Sequence, residues 1–134
     1  MKNTFRKHER LCNKSSIESL FKKGHTIYTP PLSVKWLISS SEQLKESPCQ
    51  VLLIAPKRLF KHATERNRRK RLLRESFRLQ KHTLYDFLIE QNVQIFMSIC
   101  YTNEQEISKE QLDGFLRLIF DKLATKISNK LAEK

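Results

Sequence analysis

The sequence predicts an α+β fold: a two-layer sandwich of one mixed sheet with helices, in the order α-β-β(-β)-α-β-α. Three observations predict it. Alternating or continuous apolar runs at 32–38, 51–55 and 93–101 read as strands. Stretches at 14–23, 62–82 and 108–130 carry apolar residues every three or four positions and read as helices. The 134 residues, 39% of them hydrophobic, supply one core, and no repeat or linker divides them. The chain is read as one domain over 1–134, with a basic N-terminal segment 1–13 and a core of about 14–130.

In chain order, "KSSIESLFKK" places Ile17, Leu20 and Phe21 on one helical face, with Ser15 or Ser16 as N-cap and Gly24 as the stop. In the first strand Leu32, Val34, Trp36 and Ile38 share one face and Ser33, Lys35 and Leu37 the other. Pro30 and Pro31 confine its start to a sheet edge or a loop. "SSSEQLKESPCQ" is a polar connection. "VLLIA" (51–55) is a buried central strand that Pro56 ends. In 93–101, Val93, Ile95, Met97, Ile99 and Tyr101 share a face. The last helix carries a stripe from Leu112 to Ile127, and Ser108 with Gln111 fits a capping box.

Charge is the outlier. Lys plus Arg is 26 against 14 acids, a net +12. Residues 56–82 hold eleven basic residues against Glu65 and Glu75, and residues 1–24 hold seven against Glu9 and Glu18; the remainder is close to neutral. Two basic segments on a neutral scaffold predict a surface that faces a polyanion. No apolar stretch approaches the ~18 residues of a membrane span, and no apolar region follows the basic start as in a signal peptide. Cys12, Cys49 and Cys100 are widely spaced thiols with no metal-binding pattern, and the expected location is cytoplasmic.

Residues 63–78, "ATERNRRKRLLRESFR", hold six arginines and a lysine. With Arg66 at 0° and about 100° per residue, Asn67, Lys70, Arg71, Arg74, Arg78 and Lys81 fall between about 40° and 140°. Leu72, Leu73, Ser76, Phe77 and Leu79 face the other way. A solvated face would mix signs, but here only Glu65–Arg69 and Arg71–Glu75 are opposite charges at i, i+4. Arginine over lysine suits forked bonds to phosphate and stacking on bases. A membrane helix of this charge would also need a free apolar face, which the core consumes here.

The run "PKRLFKHATERNRRKRLLRESFR" resembles the signature of the bacterial ribonuclease P protein component. It carries the triplet Arg66-Asn67-Arg68, Ala63 three residues before it, the pair Lys70-Arg71, Arg74 beyond, and Lys57-Arg58 just after a strand. The order of elements fits over roughly residues 5–130. The resemblance implies a left-handed β-α-β crossover that holds the basic helix. It implies the protein subunit of a ribonucleoprotein that removes 5′ leaders from precursor tRNA. Lys57, Arg58, Arg66, Asn67, Arg68, Lys70, Arg71 and Arg74 would bind the catalytic RNA, together with the N-terminal basic segment. Ile17, Phe21 and Lys35 would face the single-stranded leader in a cleft between the first helix and the sheet. The sequence departs from the family pattern at Arg69, which falls in the apolar stripe, and at Ile17 and Lys35, where the family often carries aromatics.

A nuclease acting alone would need acid–base groups or carboxylates for a metal. The histidines His8, His25, His62 and His82 lack ligand spacing, and His8 with Cys12 is too few. Glu104, Glu106, Glu110 and Asp113 flank a helix N-terminus, where acids favour the dipole. No catalytic residue and no metal site are therefore expected in the protein. The expected partners are the catalytic RNA, which would require Mg²⁺, and precursor tRNA, with one protein monomer per RNA and no bound cofactor. The alternative is a structural or ribosomal-type RNA-binding protein with no role in cleavage.

Overall fold

The computed structural model describes residues 9–39 and 47–133. Most of the basic start, including His8, and most of the polar connection after the first predicted strand lie outside the described residues. Seven elements follow in order: α1 (Lys14–Lys23), β1 (His25–Thr29), β2 (Leu32–Ser39), β3 (Cys49–Ile54), α2 (Ala63–Glu90), β4 (Gln94–Tyr101) and α3 (Lys109–Ala132). The strands form one mixed sheet in the order β1-β2-β4-β3. β1 and β4 flank β2 antiparallel, and β3 runs parallel to β4. The parallel pair is joined through α2, because parallel strands need a long connection.

Helices α2 and α3 cover one sheet face and enclose the main core. That core includes Val34, Trp36, Val51, Met97 and Ile99 from the sheet, Leu73, Phe77 and Leu84 from α2, and Leu116, Ile119 and Leu123 from α3. α1 lies across part of the other face, where Leu11, Leu20 and Phe96 make a second, smaller cluster with Ile17, Leu37 and Leu52 at its margin. A fully buried side chain is worth ~1.5–3 kcal/mol. α1, held by so few, is the least firmly attached of the three helices.

Several expectations needed correction. The strand predicted at 51–55 sits at the sheet edge rather than the centre. The edge is shielded by the N-terminal segment: Arg10 bridges Val51 in parallel, and the Leu11 amide donates to the Val51 carbonyl at 3.0 Å. Of the two places expected for Pro30 and Pro31, the loop holds: joined by a cis bond, they form the turn between β1 and β2, and β2 is an interior strand. The additional strand is β1. The cap of α1 is Asn13, whose side chain accepts from the Ser16 amide at 3.0 Å, and not Ser15 or Ser16. Gly24 ends α1 as expected, for reasons of space. Its φ is an ordinary −67°, but a Cβ there would lie 2.2 Å from the Leu20 carbonyl oxygen that Gly24's own N–H meets. α2 runs eight residues past its predicted end, because Leu84, Tyr85 and Leu88 continue the apolar stripe into the core. The capping box of α3 is formed as predicted by Ser108 and Gln111.

Lys81 does not lie on the exposed basic face. It is 2% exposed, and its Nζ donates at 2.6 Å to Glu9, itself 3% exposed. The Tyr85 hydroxyl donates to the same carboxylate oxygen at 2.7 Å. Two buried charges persist only as partners. The pair therefore ties the N-terminal segment to the middle of α2. Replacing Glu9 with Ala is expected to cost ~3–5 kcal/mol in urea unfolding, by stranding a buried ammonium. Replacing Glu9 and Lys81 together with Leu and Met is expected to cost far less. A single-substitution cost below about 1 kcal/mol would show the pair to be solvated.

Candidate RNA-binding surface

The rotation of α2 is set by Arg69. Its side chain is buried in the apolar stripe, 4% exposed. The guanidinium donates to Glu65 at 2.9 Å, to the Gln105 carbonyl at 2.8 Å, to the Glu104 carbonyl at 3.0 Å and to the Glu106 carboxylate at 2.9 Å. It lies 4.6 Å from the Phe60 ring centroid and 5.7 Å from that of Tyr101. The Tyr101 hydroxyl returns a 2.8 Å bond to the Arg69 carbonyl, and burial pushes that phenol up to about 12. Arg68 reaches the same acids, 2.6 Å from Glu65 and 2.9 Å from Glu106. The predicted Arg71–Glu75 pair is absent; Glu75 is taken by Arg78, one turn on.

The acidic stretch before α3 thus clamps α2. Glu106 is held below its usual range, chiefly by the bond from Arg68. Asp113 accepts from the Ser76 hydroxyl and lies 3.8 Å from Lys109. Among the described residues no group of three His, Cys, Asp or Glu converges to hold a metal, and no helix is long and apolar enough to cross a membrane.

Of the residues predicted to bind RNA, Asn67, Arg71 and Arg74 are exposed and Lys70 is half-buried on the same face, none with an ion pair or side-chain hydrogen bond among the described residues. Lys57 and Arg58 are exposed in the turn that leads into α2. Arg66 and Arg68 are different. Arg66 donates to the Phe60 and Lys61 carbonyls, both at 2.9 Å, and so secures a helix start whose N-cap, His62, makes no side-chain bond. Arg68 is committed to the acid clamp. The triplet therefore presents Asn67 outward between two arginines that hold the helix in place.

The predicted leader residues gather on the α1 face of the sheet. Lys35 Nζ donates to the Phe21 carbonyl at 3.4 Å and stands 5.5 Å from the Phe21 ring centroid, whose side chain is exposed. Ile17 is half-buried against the small cluster and serves packing more than display. Sequence reasoning missed Tyr28, an exposed aromatic on this face: it stands opposite Ser33 in the β1–β2 register, next to the Thr26–Lys35 pair. The signal was the alternation in "HTIYT", with Ile27 buried and Tyr28 out. Burial raises the Cys100 thiol on this face, and the charge of Arg58 partly offsets that.

Glu65 gives the clamp a pH signature. Bonds from Arg68 and then Arg69 hold its carboxyl at about 2, against 4.5 ordinarily. A lowered carboxyl stabilises fully above its ordinary value and loses that contribution as pH falls from 4.5 towards 2. Thermal melts over this window are expected to drop more steeply for the unaltered protein than for Glu65→Gln. Parallel curves would remove Glu65 as an anchor.

A protein-family model described as Ribonuclease P matches residues 5–124. A ribonuclease P protein component from Porphyromonas gingivalis is 37% identical over 95 residues, which cover 71% of this chain and 66% of that protein. One from Vibrio cholerae is 28% identical over 120 residues, covering 90% and 92%. The match thus spans slightly less than two thirds of the Porphyromonas relative. It spans 58% of a Chlorobium phaeobacteroides relative that is 37% identical. In three dimensions the RNase P protein of Staphylococcus aureus aligns with a TM-score of 0.66 at 16% identity, over 86% of this chain and 94% of that one. The Thermotoga maritima protein aligns at 0.53 and 21% identity, over 94% and 97%. These two likenesses bear on the mixed four-stranded sheet with its three helices. With nearly the whole chain matched by the family model, and the Arg66-Asn67-Arg68 helix at the centre of the match, this protein belongs to the Ribonuclease P protein family.

Proposed function

We propose that this protein is the protein subunit of ribonuclease P: it binds the catalytic RNA and the 5′ leader of precursor tRNA and aids endonucleolytic removal of the leader. The observation that carries this reading is the outward group Asn67, Lys70, Arg71 and Arg74 on a helix whose rotation Arg69 fixes. Cations held on a rigid element without protein counter-charges are suited to a folded RNA, whose phosphates supply it. Lys57 and Arg58 extend the surface at the turn into α2, and the α1 face of the sheet completes it. There Phe21 and Tyr28 offer rings on which leader bases stack, and Lys35 offers a cation for the backbone.

The chemistry falls to the RNA partner. Several of the acids have other work: Glu65 and Glu106 hold arginines, Glu9 holds Lys81, and Asp113 holds Ser76. Mg²⁺ enters with the RNA, as a hard cation suited to phosphate oxygens. One protein monomer serves one RNA.

The deciding experiment mixes precursor tRNA with the catalytic RNA of the same cell at low Mg²⁺, with and without the protein. Mature 5′ ends that depend on the protein are expected; binding without any change in cleavage would make it a structural RNA-binding protein. Arg71→Ala and Arg74→Ala are each expected to lower the salt slope of RNA binding by about one, with the melting temperature unchanged. An unchanged slope would place the RNA elsewhere. Tyr28→Ala is expected to weaken binding of precursor tRNA about tenfold, as loss of one stacked base does, and to leave leaderless tRNA unaffected. Equal loss for both would take Tyr28 out of the leader path.

A further inference from the structure

A polar recess lies on the other side of the sheet from α1, between β1 and the end of α3. It has a volume of about 420 Å³ and is lined by His25, Trp36, Lys126, Asn129, Lys130 and Glu133. Trp36 is 2% exposed, and its Nε1–H has no acceptor among the described residues. A buried indole N–H ordinarily has one. The His25 ring lies over the indole, centroids 4.7 Å apart and planes tilted by 39°. His25 is an exposed residue of the edge strand.

Lys122, Lys126 and Lys130 recur every fourth residue and form one row on α3. Lys122 Nζ donates to Thr29 Oγ1 at 3.3 Å, which lays that row along β1. Lys126 and Lys130 have no ion pair among the described residues, and Glu133 is the one acid at the recess. Like charges at this spacing repel, so the row gains when an anion joins it.

We infer that this recess is a binding site for a nucleotide phosphate. Lys126 and Lys130 take the phosphate, the exposed His25 ring turns aside to lie against the base, and a ligand oxygen then accepts from Trp36 Nε1. Asn129 offers both a donor and an acceptor to the edge of the base. The site is separate from Arg71 and Arg74 on α2 and from Phe21, Tyr28 and Lys35 on the α1 face. A free nucleotide and a single-stranded RNA segment share this chemistry.

Trp36 is the only tryptophan in the chain, so its fluorescence reports on the recess. The test titrates the full chain with uridine 5′-monophosphate and with a short oligouridylate, with inorganic phosphate as competitor. Saturable quenching is expected. An oligouridylate that binds at least about tenfold tighter than the mononucleotide identifies RNA as the source; equal or weaker binding identifies a free nucleotide. Lys126→Ala and Lys130→Ala are each expected to weaken the response about tenfold with unchanged melting curves. The Arg71→Ala/Arg74→Ala double variant is expected to keep the response to the mononucleotide. No quenching by about 10 mM of either ligand would overturn the site. So would an undiminished response in both lysine variants, or a response only to a glutamate-rich peptide.

Discussion

Burial of one guanidinium governs the rest of this structure. Removing a cation from water costs several kcal/mol unless the geometry around it is nearly complete. Arg69 meets that requirement with two carboxylates, two backbone carbonyls and two aromatic rings. Its direction then fixes every other residue on α2. At about 100° per residue, an inward position 69 turns 70, 71 and 74 outward. The residue that interrupts the apolar stripe is the one that aims the basic face.

The charge on the chain divides accordingly. Some cations are structural: Arg66 closes the helix start, Arg68 and Arg69 grip the stretch before α3, Arg78 holds Glu75, and Lys81 meets Glu9. The remainder on α2 faces solvent. Acids placed ahead of α3 favour that helix's dipole and also anchor its neighbour. Their position therefore serves two helices, and it is why few free carboxylates remain near the binding surface to compete with phosphates.

The fold was legible where period and caps agree. β2, β4, the capping box at Ser108 and the stop at Gly24 all depend on a few neighbouring residues. Legibility failed where a distant partner decides. Lys81 looks like surface by its place on the helical wheel and is buried because Glu9 lies opposite. VLLIA reads as a central strand, yet what covers its edge is a segment some forty residues earlier. Asn67, Arg71 and Arg74 were placed correctly by helical phase alone. Tyr28 was not, because its face depends on pairing with a strand across a proline turn. The bonds of Arg66 to a loop and of Arg68 to Glu106 before α3 are contacts that helical phase does not register.

Glu9 and Lys81 are 72 positions apart in the chain, and this separation gives the domain an order of assembly. During synthesis the N-terminal segment emerges first and finds neither the β3 edge nor the ammonium it needs. Until α2 has been made, Glu9 has no ammonium to meet and no reason to leave water. Burial of Glu9 is thus a late step, taken only once the helix that carries the binding surface has been made.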